Sequence, residues 1–134
     1  MCKNNFKVLI CAVLLVPLAA MAEDKSRHET DYNAALARRL GGECETRYAY
    51  PVADGIRYIR VDIETADYVI EAALDRRSAR DSVHQALFAA SLTGKKPKIV
   101  IYDTDGRRGA YEIQIERTAR AAKVAFERIS IDTL

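Results

Sequence analysis

The segment "PKIVIYD", residues 97–103, constrains this chain more than any other. Its apolar residues run continuously, which is the pattern of a strand covered on both faces. Such a strand needs packed layers on either side of its sheet. The stretch before it reads differently. Over residues 56–64, Arg57, Ile59, Val61 and Ile63 alternate with Tyr58, Arg60, Asp62 and Glu64, so each set occupies one face of a strand. Thr65 to Asp67 supply a turn, and Tyr68 to Leu74 return with Val69, Glu71 and Ala73 on a common face. Pairing Thr65 with Tyr68 sets Asp62 opposite Glu71, with Cβ atoms about 4.5–5.5 Å apart. Two carboxylates that close can share a cation. Ala66-Asp67 is not a strong two-residue turn pair, so another register stays open.

Three helices and two further strands surround this hairpin. Ser26-Arg27-His28-Glu29 has the form of a capping box. Tyr32, Ala35, Leu36 and Leu40 then repeat at helical spacing up to Gly41-Gly42, predicting a helix over 27–40. Glu45 to Tyr50 suits a short strand, stopped by Pro51 and turned by Asp54-Gly55. Ser78 caps a second helix, with Asp81 in a weaker capping box, Val83, Ala86, Leu87 and Ala90 as its apolar stripe, and Gly94 as its end. After the polar loop Asp103 to Gly109, Tyr111, Ile115, Thr118 and Ala122 suit a third helix and "VAFERISID" a last strand. One longer helix reaching about Ile129 is the other division.

The beginning of the chain has a separate character. "MCKNNFK", the apolar run Val8 to Ala20 and the small-residue site Ala20-Met21-Ala22 describe a secretory signal peptide over 1–22. The run falls short of the about 20 apolar residues that a membrane span needs, and a retained signal anchor is the alternative. The expectation is an exported protein, periplasmic or secreted, with one domain over 23–134. The whole chain has 21 Lys+Arg and 19 Asp+Glu. Lys3 and Lys7 leave with the signal, so the mature part is formally neutral and has no global attraction to nucleic acid or anionic membrane. Local basic clusters at Arg76-Arg77 and Lys95-Lys96 keep nucleic acid open as a partner. Cys44 remains alone after cleavage, either as a small buried hydrophobe or as a bond to a second copy of the chain.

The order helix, three strands, helix, strand, helix, strand is the setting for three quoted segments. They are "GGECETRYAY", "RVDIETADYVIEAA" and "HQALFAASLTGKKP". Together they resemble the PD-(D/E)XK nuclease superfamily, and its small members related to Holliday-junction resolvases and repair nucleases. The resemblance implies an α/β restriction-endonuclease-like core with a mixed sheet of about five strands. It implies Asp62 and Glu71 as the motif acids and metal ligands, with Glu29 as an acid that some members place on the first helix. It also implies Gln85 as the glutamine of the second core helix. An active member uses such acids to hold Mg²⁺ or Mn²⁺ through oxygens, leaving water on the metal.

Two positions depart from that pattern. The tyrosine four residues after the glutamine is Ala89, and the lysine two residues after the second acid is Ala73. Losing a positioned acid–base partner costs about 10²–10⁴ in rate. Lys98 begins the neighbouring strand and is the best-placed substitute on topology, whereas Lys95 and Lys96 fall in a loop expected to be solvated.

Three functions follow as expectations. The first is a catalytically impaired or inactive nuclease fold used for binding, with Asp62, Glu71 and Gln85 as a vestigial site. The second is a Mg²⁺-dependent DNA or RNA phosphodiesterase with a relocated lysine. The third is a structural envelope-interaction domain without metal, in which Asp62 and Glu71 are ordinary surface acids neutralised by Arg57, Arg60 or Arg76. No His/Cys spacing suggests zinc. The loop "TDGRRGA" carries two arginines that suit either a phosphate or a solvated turn.

Overall fold

The computed structural model describes residues 28–75 and 81–134. Its elements run α1 (Glu29–Leu40), β1 (Glu43–Val52), β2 (Gly55–Glu64), β3 (Tyr68–Leu74), α2 (Ser82–Thr93), β4 (Lys96–Asp103), α3 (Ala110–Ala121) and β5 (Ala125–Ser130). A 3₁₀ turn, Ile131–Thr133, closes the chain. This is the expected α/β order. The strands form one five-stranded sheet in sequence order, β1-β2-β3-β4-β5. The β1–β2 and β2–β3 pairs are antiparallel, while β3–β4 and β4–β5 are parallel.

The central strand behaves as its apolar run requires. Ile99, Val100, Ile101 and Tyr102 are each at most 1% exposed. Val100 and Tyr102 pack with Tyr32, Leu36 and Ala37 of α1. Ile99 and Ile101 pack on the other side with Val83 and Ala86 of α2 and Ile115 and Ala119 of α3. The molecule is therefore a three-layer sandwich, with one helix on one face and two on the other.

Helix boundaries refine the sequence reading. At the start of α1, Asp31 Oδ2 accepts the backbone N–H of His28 at 3.1 Å, and His28 O accepts that of Asp31 at 2.8 Å. Glu29 is thus the first residue of the helix; Ser26 lies outside the described residues. So does Ser78, and α2 starts after Asp81. Gly41 and Gly94 end α1 and α2 in the left-handed conformation at φ 67 and 72, which glycine enters without steric cost. The third helix stops at Ala121, because Lys123 takes φ 58 and Val124 turns its N–H back to Ala119 O at 2.8 Å. A separate last strand follows. Strand β1 is longer than expected and contains Pro51, which an edge strand tolerates because its missing N–H can face solvent.

Candidate functional site

The turn between β2 and β3 decides where the two acids fall. Thr65 N–H donates to Tyr68 O at 2.9 Å, and Tyr68 N–H donates to Thr65 Oγ1 at 3.0 Å. The threonine side chain thereby does what the weak Ala66-Asp67 pair could not. The ladder runs Glu64↔Val69 and Ile63↔Ile70, the register that carries Asp62 to Glu71. There the regular pairing ends, and Asp62 Oδ2 accepts the Ala72 N–H at 3.0 Å. A side chain has taken the place of a departing backbone.

The same position interrupts the other ladder. Strands β1 and β2 pair Cys44↔Ile63 and Thr46↔Val61, with no pair between Glu45 and Asp62, and Glu45 stands at φ 57. This break overturns the expectation that Val61 and Ile63 share a face. Ile63 packs with Tyr32 and Leu36 of α1, and Val61 with Val69 and Ala89 on the α2 side. The left-handed residue in β1 and the side-chain bond of Asp62 break the two-residue alternation there.

The two acids meet in a dry place. Glu71 is 4% exposed, and its Oε1 is buried without a hydrogen-bond partner among the described residues. Burial pushes the Glu71 carboxyl up to about 9, assisted by the charge of Asp62 and a side-chain hydrogen bond with it. Burial also raises Asp62, while the Ala72 N–H and the charge of Arg60 pull it back. At neutral pH the pair holds a proton on Glu71, donated toward Asp62, because a buried carboxyl does not ionise in contact with a second, half-buried carboxylate. Glu71 is not a solvated surface acid. Arg60 supplies compensating charge from outside, paired with Glu45 at 3.4 Å.

The remaining expected residues are arranged around this pair unequally. Glu29, half-buried at the start of α1, raises Glu71 through its charge. It does not join Asp62 and Glu71 in a cluster of three closely spaced ligand atoms. Gln85 is exposed on α2, and no hydrogen bond among the described residues joins its side chain to the pair. Ala73, the position to which the resemblance assigns a lysine, is 8% exposed and packed with Val83, Ala86, Ile99 and Ile101 in the apolar core. Lys98 Nζ turns to Glu127 Oε2 at 2.5 Å and lies 5.7 Å from the centre of the Tyr68 ring. Arg76 and Arg77 lie outside the described residues.

Lys95 is not a solvated loop residue. Its Nζ reaches Glu64 Oε1 at 2.6 Å and Thr65 O at 2.5 Å, and Tyr48 donates its hydroxyl to Glu64 at 2.5 Å. Burial pushes the Glu64 carboxyl up, but Lys95 and Tyr48 outweigh it and hold the group below its ordinary range. The bond to Glu64 in turn lifts the Tyr48 phenol to about 12. This cluster ties the α2–β4 loop to the β2–β3 turn. Alternation marked Glu64 as polar but could not show a partner 31 residues away.

A second acidic group escaped the sequence reading. One oxygen each from Asp75, Asp103 and Asp105 lies within 4.8 Å of the others, an arrangement that could hold a metal ion. It sits at the carboxyl ends of β3 and β4, about 13 Å along the strand from Glu71 at the usual rise. Its oxygens already serve the chain. Asp75 takes Thr104 N–H and Oγ1, and Asp103 takes Gly106 N–H and Arg128. This group holds the "TDGRR" loop in place.

Cys44 is free and half-buried, and burial, then Glu45 and Asp62, raise its thiol. Among the described residues no helix is long and apolar enough to cross a membrane. Compared with known proteins, the chain matches no family model, no curated protein and no solved structure.

Proposed function

We propose that this chain is an exported nuclease-fold protein, catalytically impaired, that keeps a binding site for one Mg²⁺ or Mn²⁺ and acts as a periplasmic or secreted binding domain. One observation carries the reading: Asp62 and Glu71 are held together where two strands part, with Glu71 buried and its carboxyl raised by burial and by the charge of Asp62. A divalent cation can replace that proton, since oxygen ligands of this kind are what Mg²⁺ and Mn²⁺ take. Asp62 and the otherwise unpartnered Oε1 of Glu71 would be its protein ligands. The ion would supply the charge and bound water of metal-assisted hydrolysis.

Among the described residues, the candidate cations that could place and activate that water are engaged elsewhere or absent from its position. Ala73 is apolar and packed, Lys98 is turned to Glu127, and Lys95 is spent on Glu64. Arg60 remains nearby as a fixed charge that does not give up its proton. The test is incubation of the purified protein with DNA and RNA, with Mn²⁺ and without. The expected result is no metal-dependent cleavage above background. Cleavage that Asp62→Asn abolishes would overturn the impaired reading and favour the nuclease.

A further inference from the structure

The loop before α3 and the outer face of that helix carry a cluster unrelated to the acid pair. Ile113, Glu116, Arg117 and Arg120 recur at steps of three and four, which places them on one helical face. With Arg108 they line a cleft of about 300 Å³. Glu116 is 8% exposed and uses both oxygens. Its Oε1 takes the Arg120 guanidinium at 2.5 Å, and its Oε2 pairs with Arg108.

One buried carboxylate thus fixes two guanidiniums at the rim of a cavity. Arg117 lines the same cavity and, among the described residues, has no hydrogen-bond or ion-pair partner. Three positive groups against one negative leave two charges unbalanced. A phosphoryl group carries about −1.5 to −2 at neutral pH and matches that excess. Guanidinium forks suit its oxygens geometrically, and arginine is more weakly hydrated than lysine. Ile113, 40% exposed, adds an apolar wall beside the charges.

We infer that the Arg108–Arg117–Arg120 cleft binds a phosphoryl dianion, either inorganic phosphate or the terminal phosphate of a small monoester. Glu116 positions the two outer arginines, and Arg117 supplies the free charge. The ligand needs no metal and makes no use of Asp62 or Glu71.

The experiment is calorimetric titration of the purified protein, in EDTA, with inorganic phosphate and separately with glycerol phosphate. Saturable binding is expected at about 0.15 M salt, where a merely diffuse surface attraction is largely screened. A response to free phosphate alone assigns the cleft to the inorganic ion, and a response to both assigns it to the phosphoryl group in general. Arg117→Gln should weaken binding about tenfold or more, as loss of a charged hydrogen bond implies. Arg117→Lys should weaken it less. Lowering the pH from about 7.5 to about 5.5 should weaken the monoester as its second proton returns. Asp62→Asn should bind like the wild type. No saturation by about 10 mM of either ligand would overturn the inference, given that millimolar binding is already weak. So would equal binding by Arg117→Gln, or loss of binding in Asp62→Asn. Arg117-dependent binding of an oligonucleotide lacking terminal phosphates, without binding of either small ligand, would replace it with a nucleic-acid surface.

Discussion

Asp62 accepts the backbone N–H of Ala72, ten residues along the chain, at the point where β2 leaves β3. The bond holds the Asp62 carboxylate in the gap and presents it to Glu71. Removing the acceptor strands an amide in a largely buried place. Asp62→Ala should therefore cost about 1–3 kcal/mol, the penalty for an unsatisfied buried donor, measured by urea unfolding. Asp62→Asn keeps an acceptor oxygen and should cost less.

The proton on Glu71 has a signature in stability against pH. Its carboxyl titrates at about 9 in the folded protein, against an ordinary value of 4.5. Between those values the folded state binds more protons than the unfolded one, so stability falls as pH rises. The contribution is fully present below 4.5 and is lost as pH climbs toward 9. Glu71→Gln removes the titration. Its melting temperature should exceed the wild type's at alkaline pH by about 5 °C or more, because about 1 kcal/mol shifts a domain of this size by several degrees. A parallel decline in both proteins would contradict the assignment.

Gly42 lies against the turn that sets the register. A Cβ there would meet Glu64 O at 2.4 Å, a backbone atom that cannot step aside. Gly42→Ala should destabilise by about 1–3 kcal/mol, the usual cost of overpacking. Gly41→Ala meets open space but keeps φ 67, and should cost about 1 kcal/mol. Chemical denaturation of the two variants separates steric from conformational cost.

Lys95 anchors Glu64 with only 27% of its own side chain exposed. Lys95→Met should cost about 1–3 kcal/mol, because it leaves the partly buried Glu64 carboxylate without its charged partner, with Tyr48 and Thr46 still beside it. Lys96→Met lacks such a bond and should be near neutral, since surface substitutions usually fall within about 0.5 kcal/mol. Thermal melts of both variants check the contrast.

Much of this was legible in the sequence for identifiable reasons. The unbroken apolar run of β4 required two covered faces, and period-2 and period-3.6 patterns located the strands and helices. The pairing of Thr65 with Tyr68 was one of the registers the sequence allowed, and the hydrogen bond from Tyr68 N–H to Thr65 Oγ1 selects it. Three things were hidden. A left-handed Glu45 is not encoded by any glycine, so the change of face between Val61 and Ile63 could not be seen. Burial of Glu71 depends on what α2 covers, which alternation within one strand does not report. Partnerships such as Lys95–Glu64 and Asp75–Thr104 join residues whose proximity only the assembled sheet creates.

The proposed cation site at Asp62 and Glu71 is tested most directly by titrating Mn²⁺ into the wild-type protein and into Glu71→Gln at about pH 7.5, with heat measured in two buffers of different ionisation enthalpy. The wild type should bind one Mn²⁺ per chain and release close to one proton, because the metal displaces the proton held by Glu71. The variant should bind far more weakly and release none. Absence of Mn²⁺ heat in the wild type, or identical binding by both proteins, would contradict the account.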